Sequence, residues 1–104
     1  MSEKRLNFLR SAVEKDPNAE MPRYGLAMEL MGLDEFEESE EHFKNLLEEH
    51  PQYVPGHFML GKLYSKMGEP EMARAVLEHG IEVAEEVGNM HAAGEMREEL
   101  DMLE

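Results

Sequence analysis

Residues 20–51 read EMPRYGLAMELMGLDEFEESEEHFKNLLEEHP, and the chain then says much of this stretch again. A shift of 34 residues pairs Tyr24 with Phe58, Leu26 with Leu60, Ala27 with Gly61 and Leu30 with Tyr64. The same shift pairs Ser39 with Ala73, Phe43 with Leu77 and Leu47 with Ile81. Working backwards, it carries Leu9 onto Phe43, Val13 onto Leu47 and Pro17 onto Pro51. Self-similarity at this period, with small residues and aromatics at fixed offsets, is the mark of a stacked helix–turn–helix array. The chain is therefore expected to be all-α.

Length and composition agree with that reading. At 104 residues, 41% of them hydrophobic, the chain can build one domain with a modest core. A third of the residues are charged and few are aromatic, but the apolar residues keep a helical period that a disordered segment would not need. The formal charge of −14 would repel phosphates, so nucleic acid is not expected as a partner. That charge is uneven. Asp34 to His50 holds eight acids and one base, net −7, and Glu69 to Glu104 holds eleven acids and two bases, net −9. Residues 1–23 carry five bases and four acids, net +1, while Pro51 to Gly68 carries +2 from Lys62 and Lys66. The acids read either as solvated outer helix faces or as an acidic surface that attracts a basic partner. No cysteine is present, which removes disulfides and thiol catalysis. No stretch approaches the roughly 20 apolar residues of a membrane span, and residues 1–15 have no hydrophobic signal core. No membrane partner and a cytoplasmic location are expected.

The periodicity gives six helices. The first is expected from Glu3 to Asp16, capped by Ser2, with Leu6, Leu9 and Val13, joined by Phe8 and Ala12, at spacings of three and four. Asp16-Pro17-Asn18 stops it, and Asn18 is placed to cap the second helix. That second helix, Glu20 to Met31, puts Leu26, Leu30 and Leu33 on one face and Met21, Tyr24, Met28 and Met31 on another, roughly opposite. A helix apolar on two sides is buried on both, or offers one of them to something else. Gly32-Leu33-Asp34 is the expected turn, with Asp34 capping a third helix from Glu35 to Glu49 that turns Phe36, Ser39, Phe43, Leu46 and Leu47 inward. A fourth, Val54 to Met67, carries Pro55 in its first turn and ends at Gly68. The fifth, Pro70 to Val87, buries Ala73, Val76, Leu77, Ile81 and Ala84, and its mid-helix Gly80 predicts close contact with a neighbouring backbone. Gly88-Asn89 opens the sixth, whose single apolar face of Ala93, Met96, Leu100 and Leu103 suits a terminal cap.

These residues resemble the tetratricopeptide repeat. The second copy reads Leu60-Gly61, Tyr64, Gly68, Ala73, Leu77 and Gly80, and the first reads Leu26-Ala27, Leu30, Phe36, Ser39, Phe43, Leu46 and Pro51. Pro17 and Pro51 stand at the closing proline. The resemblance implies a right-handed α–α superhelix of about two and a half repeats, its six helices paired antiparallel. In it, residues 1–17 form a half-repeat, 20–53 and 54–87 two repeats, and 89–104 a capping helix. Small residues at Ala27/Gly61 and Ser39/Ala73 let the paired helices of one repeat approach, and Phe43/Leu77 and Leu30/Tyr64 fill the space between stacked pairs. The place where the family favours Trp holds Arg23 and His57.

Members of that family bind peptides or helices in a concave groove lined by the first helix of each pair. Carried onto this chain, the groove positions are Met21, Tyr24, Met28, Met31 and Gly32 in the first copy, and Pro55, Phe58, Lys62, Ser65 and Lys66 in the second. The residues by themselves converge on that surface, through the second apolar face of helix two and the Lys62/Lys66 pair. Flexible, polarizable Met suits a groove that accepts varied apolar side chains, and Lys62 and Lys66 can hold an acidic group of the ligand. The competing readings are self-association through the same face, as a homodimer, and plain core. A chaperone-tail carboxylate clamp is not expected, because its Lys and Asn places hold Tyr24 and Met28.

No two of His42, His50, His57, His79 and His91 have metal-ligand spacing, no Gly-rich phosphate loop is present, and no serine has a paired histidine in a catalytic motif. The expectation is a non-enzymatic scaffold without cofactor or metal that binds a protein or peptide. Homo-oligomerisation and an acidic adaptor for a basic partner are the alternatives.

Overall fold

The computed structural model describes residues 2–103. All of its regular structure is helical: α1 Ser2–Lys15, α2 Glu20–Gly32, α3 Phe36–Glu49, α4 Val54–Lys66, α5 Pro70–Glu86 and α6 Met90–Met102. Each end of α1 to α5 lies within one residue of the position the periodicity predicts. The Ser2 cap expected of α1 lies outside the described side chains. The chain divides into two compact units, residues 1–50 with α1 to α3 and residues 51–104 with α4 to α6.

Three helices stop by the same device. After α4 and α5 the chain turns through Gly68 (φ 75) and Gly88 (φ 81), in the left-handed region where a Cβ is costly. Gly68 N–H donates to the Ser65 carbonyl and Glu69 N–H to that of Tyr64; Gly88 and Asn89 repeat the pair onto Glu85 and Ala84. This double closure is the Schellman motif, which satisfies carbonyls the last turn would otherwise leave orphaned. After α2 the same two bonds run from Asp34 to Met31 and from Glu35 to Leu30. The residue at φ 62 is Asp34, which the repeat places opposite Gly68. Asp34 therefore ends α2 and does not cap α3, whose N-cap is Glu35 without a side-chain bond. Asn18 is likewise no cap; Ala19 holds that place before α2, also without a side-chain bond. Asn89 does cap α6, its side-chain oxygen accepting the Ala92 N–H at 3.0 Å.

In the first unit α2 packs against both α1 and α3. Leu26, Ala27, Leu30, Phe43 and Leu46 are almost wholly buried. Ser39, buried with them, donates its hydroxyl to the Ala27 carbonyl at 2.7 Å, so the small-residue place also satisfies its own polar group. Leu33 is 39% exposed and takes little part in the apolar face expected of it. In the second unit α5 packs on α4 and α6, and α4 also reaches α6. Their core joins Val54, Leu77, Ile81, Val83, Ala84, Ala93 and Met96, with Phe58, Leu100 and Leu103 packed against it. Gly61 admits Leu77: a Cβ there would lie 2.6 Å from one Leu77 methyl. Gly80 is tight as expected, but against side chains and not a backbone, its Cβ position lying 2.7 Å from Met96 Sδ and 2.8 Å from His57 Cβ. Val83 is buried, and Val76, expected to be inside, is only half-buried.

Candidate functional site

The second face of α2 does not behave as one surface. Met21 is 73% exposed, Tyr24 and Met28 are half-buried, and Met31 is 6% exposed and belongs with the core. Tyr24 meets the buried Phe43 edge to face, 6.2 Å between ring centroids, which fixes its ring from behind. Its other side opens on a groove between α1 and α2 of about 560 Å³, lined by Arg5, Phe8, Leu9, Tyr24, Gly25, Met28 and Glu29. Gly25 forms its floor against a Leu9 methyl; a Cβ there would lie 3.1 Å from that atom. The periodicity groups Phe8 with the packed face of α1, yet it is 71% exposed. The signal that separates it from Leu9 is on the helical wheel: Leu6, Leu9 and Val13 cluster on one side, and Phe8 sits between Lys4, Arg5 and Lys15.

On α4 the five implied residues also differ among themselves. Pro55, Ser65 and Lys66 are exposed, whereas Phe58 and Lys62 are half-buried. The Lys62 ammonium stands 5.0 Å over the Phe58 ring, a cation–π contact that orients both side chains. Alone among the helices, α4 carries no acidic residue. By contrast, α3 and α5 bear acids along their open sides, and Glu37, Glu40, Glu41 and Glu48 line a shallow depression with Lys44 and Asn45.

A polar device recurs at the place of the family's Trp. Arg23 donates to the Pro17 carbonyl through Nε at 3.3 Å and a terminal nitrogen at 3.0 Å. One repeat on, His57 Nε2 donates to the Pro51 carbonyl at 2.8 Å. The place where the family favours Trp thus holds, in both copies, a latch on the closing proline's carbonyl. Arg23 also donates to His42 Nδ1 at 3.0 Å, and His42 Nε2 faces Glu38 at 3.7 Å. Glu38 in turn accepts two bonds from Arg10, linking α1 to α3. Burial, then Arg23, holds His42 below the ordinary imidazole range, and burial does the same to His57, opposed by the Pro51 carbonyl. The Arg10 hydrogen bonds hold the Glu38 carboxyl below its usual range. The Glu38–His42 pair, four residues apart on α3, is thereby spent on two arginines. Among the described residues no group of three ligating side chains could hold a metal, and no helix is long and apolar enough to cross a membrane.

Paired helices closed by a repeated turn, with small residues at their crossings, define a helical-repeat protein. The family model for the tetratricopeptide repeat matches residues 30–93. A tetratricopeptide repeat domain protein from Salinibacter ruber is 32% identical, with 86% of this chain and 90% of that one aligned at a TM-score of 0.80. The chain belongs to the tetratricopeptide repeat family. Its fold is also that of the type III secretion translocator chaperone SycD from Yersinia enterocolitica, at 11% identity, a TM-score of 0.89 and coverage of 98% of this chain and 71% of that one. A protein from Bordetella parapertussis is similar in fold at 21% identity and a TM-score of 0.83, over 94% of this chain and 85% of that one. The family is a protein–protein interaction fold, generally a non-catalytic one, and this chain is an interaction module on that footing.

Proposed function

We propose that the chain is a non-catalytic scaffold for a peptide or helix of a partner protein, with the open face of α2 in the first unit and the open face of α4 in the second each taken by itself as a contact surface. The distribution of charge carries this reading. In a chain of net charge −14, α4 has no acid, and the open face of α2 presents Met21, Tyr24 and Met28. Half-buried aromatic and Met side chains supply apolar contact at low ordering cost, because their backs are already fixed by the fold. On α4, Phe58 and Lys62 act as one oriented pair, and Lys66, a turn further on, is the cation left to meet an acidic group of the ligand. The test is capture of the natural partner by two double variants whose folding is confirmed by circular dichroism. Tyr24→Ala with Met28→Ala, and Phe58→Ala with Lys66→Glu, should each weaken capture by about tenfold or more, as loss of an interface anchor does. Undiminished capture by both folded variants would sink the proposal.

A further inference from the structure

We propose that the groove between α1 and α2 is the docking site for an acidic amphipathic helix of a partner protein, with Phe8 as its anchor and Lys4, Arg5 and Lys15 as its charge reader. This rests on and deepens the proposed scaffold function, since it shares Tyr24 and Met28 with it, and adds a face of α1 to which that function assigns no role.

Two observations say what kind of partner fits. The first is the helical answer the chain gives to the same problem elsewhere. A shift of 68 residues carries α1 onto α5, taking Leu9 to Leu77 and Val13 to Ile81. In the second unit the α5/α6 pair is covered by a helix, α4, which touches both. The α1/α2 pair presents the corresponding groove open, with Phe8 71% exposed at its edge.

The second observation is charge. The shift of 68 sets Arg5 opposite Ala73, the buried small residue at the packed crossing. A helix entering the α1/α2 groove therefore meets a guanidinium at the place where α5 carries a buried methyl. Around the wheel of α1, Lys4, Arg5, Phe8, Ser11, Ala12 and Lys15 share one face, and Glu3 and Glu14 fall on the other side. That face has three cations and no acid in a chain of net charge −14. Glu29, across the groove at 3.7 Å from Arg5, is 18% exposed and answers one of the three. An exposed phenyl ring bordered by cations selects a ligand whose apolar stripe is bordered by carboxylates and rejects one bordered by lysines.

The probe is a displayed library of helix-forming peptides, randomised on one face and selected on the full chain. Recovered sequences should place Leu, Ile or Phe at helical spacing with Asp or Glu beside them, and bind less well as salt rises. Phe8→Ser and Arg5→Glu should each weaken them about tenfold or more. Phe8 is exposed, so its replacement leaves the fold intact, which circular dichroism checks. Failure to enrich any sequence, or enrichment of neutral or basic ones, would overturn the inference. So would binding that ignores Phe8→Ser but is lost in Tyr24→Ala with Met28→Ala, a result that leaves the proposed function standing. Binding lost in Phe8→Ser and unchanged in Phe58→Ala with Lys66→Glu supports the α1 face as a site in its own right.

Discussion

Gly80 shows how little room the packing leaves at a single residue. In an isolated helix, Gly to Ala gains roughly 1 kcal/mol of helix propensity. Here the added methyl would press on His57 Cβ and Met96 Sδ, both under 3 Å away. The Met96 side chain can swing aside, but a Cβ is fixed to its backbone, so the strain falls on the separation of α4 and α5. Gly80→Ala should therefore destabilise the protein by about 1–3 kcal/mol, the usual range for an overfilled core, in spite of the propensity gain. Urea unfolding would read this, and a raised midpoint for the variant would contradict it. That Gly80 makes a close contact was legible from its position in the helix. Which atoms it meets was not, because they come from helices 23 and 16 residues away in sequence, counting from His57 and to Met96.

The helix ends belong to the next scale. The period predicts where α2 and α3 separate, but composition alone makes Asp34 a cap for the later helix. Only the backbone conformation shows that it closes the earlier one, at φ 62. An Asp in the left-handed region is tolerated better than most residues yet still strained relative to Gly. Asp34→Gly, which makes the turn like that at Gly68, should raise stability by about 0.5–1 kcal/mol after the added freedom of the unfolded chain is set against the relief. Thermal unfolding checks the direction, and a lower Tm would show that the Asp34 side chain does more for the fold than its backbone costs. The same scale explains Phe8. Apolar residues at spacings of three and four put it near the packed face, but α1 packs against α2 through Leu9 at Gly25, and that contact turns Phe8 outward.

For the whole molecule, the two depressed imidazoles set the response to acid. The fold holds His42 and His57 below the ordinary imidazole range, to which they return in the unfolded chain. As pH falls through about 6.5 the unfolded chain takes up protons that the folded one refuses, so stability present above that pH is lost below it. The lowered Glu38 carboxyl adds a second loss, beginning as pH falls through the ordinary Glu range near 4.5. Tm should drop between about pH 7.5 and 5.5, and the double variant His42→Gln with His57→Gln should flatten that slope. An equal slope in the variant would place the sensitivity elsewhere.

The repeat period, the small-residue crossings and the closing prolines were enough to identify the family and the helices, because each is a local rule written at fixed spacing. Tyr24, Met28, Phe58 and Lys62 were legible as surface candidates for the same reason. The split of the Met face into an exposed Met21 and a buried Met31, and the open groove beside Phe8, were decided by packing. So was the stacking of Lys62 over Phe58. Helical periodicity sorts residues by angle around one axis. How far a side chain at a given angle is covered depends on where the neighbouring helix crosses, and that crossing is set by residues far away in the chain.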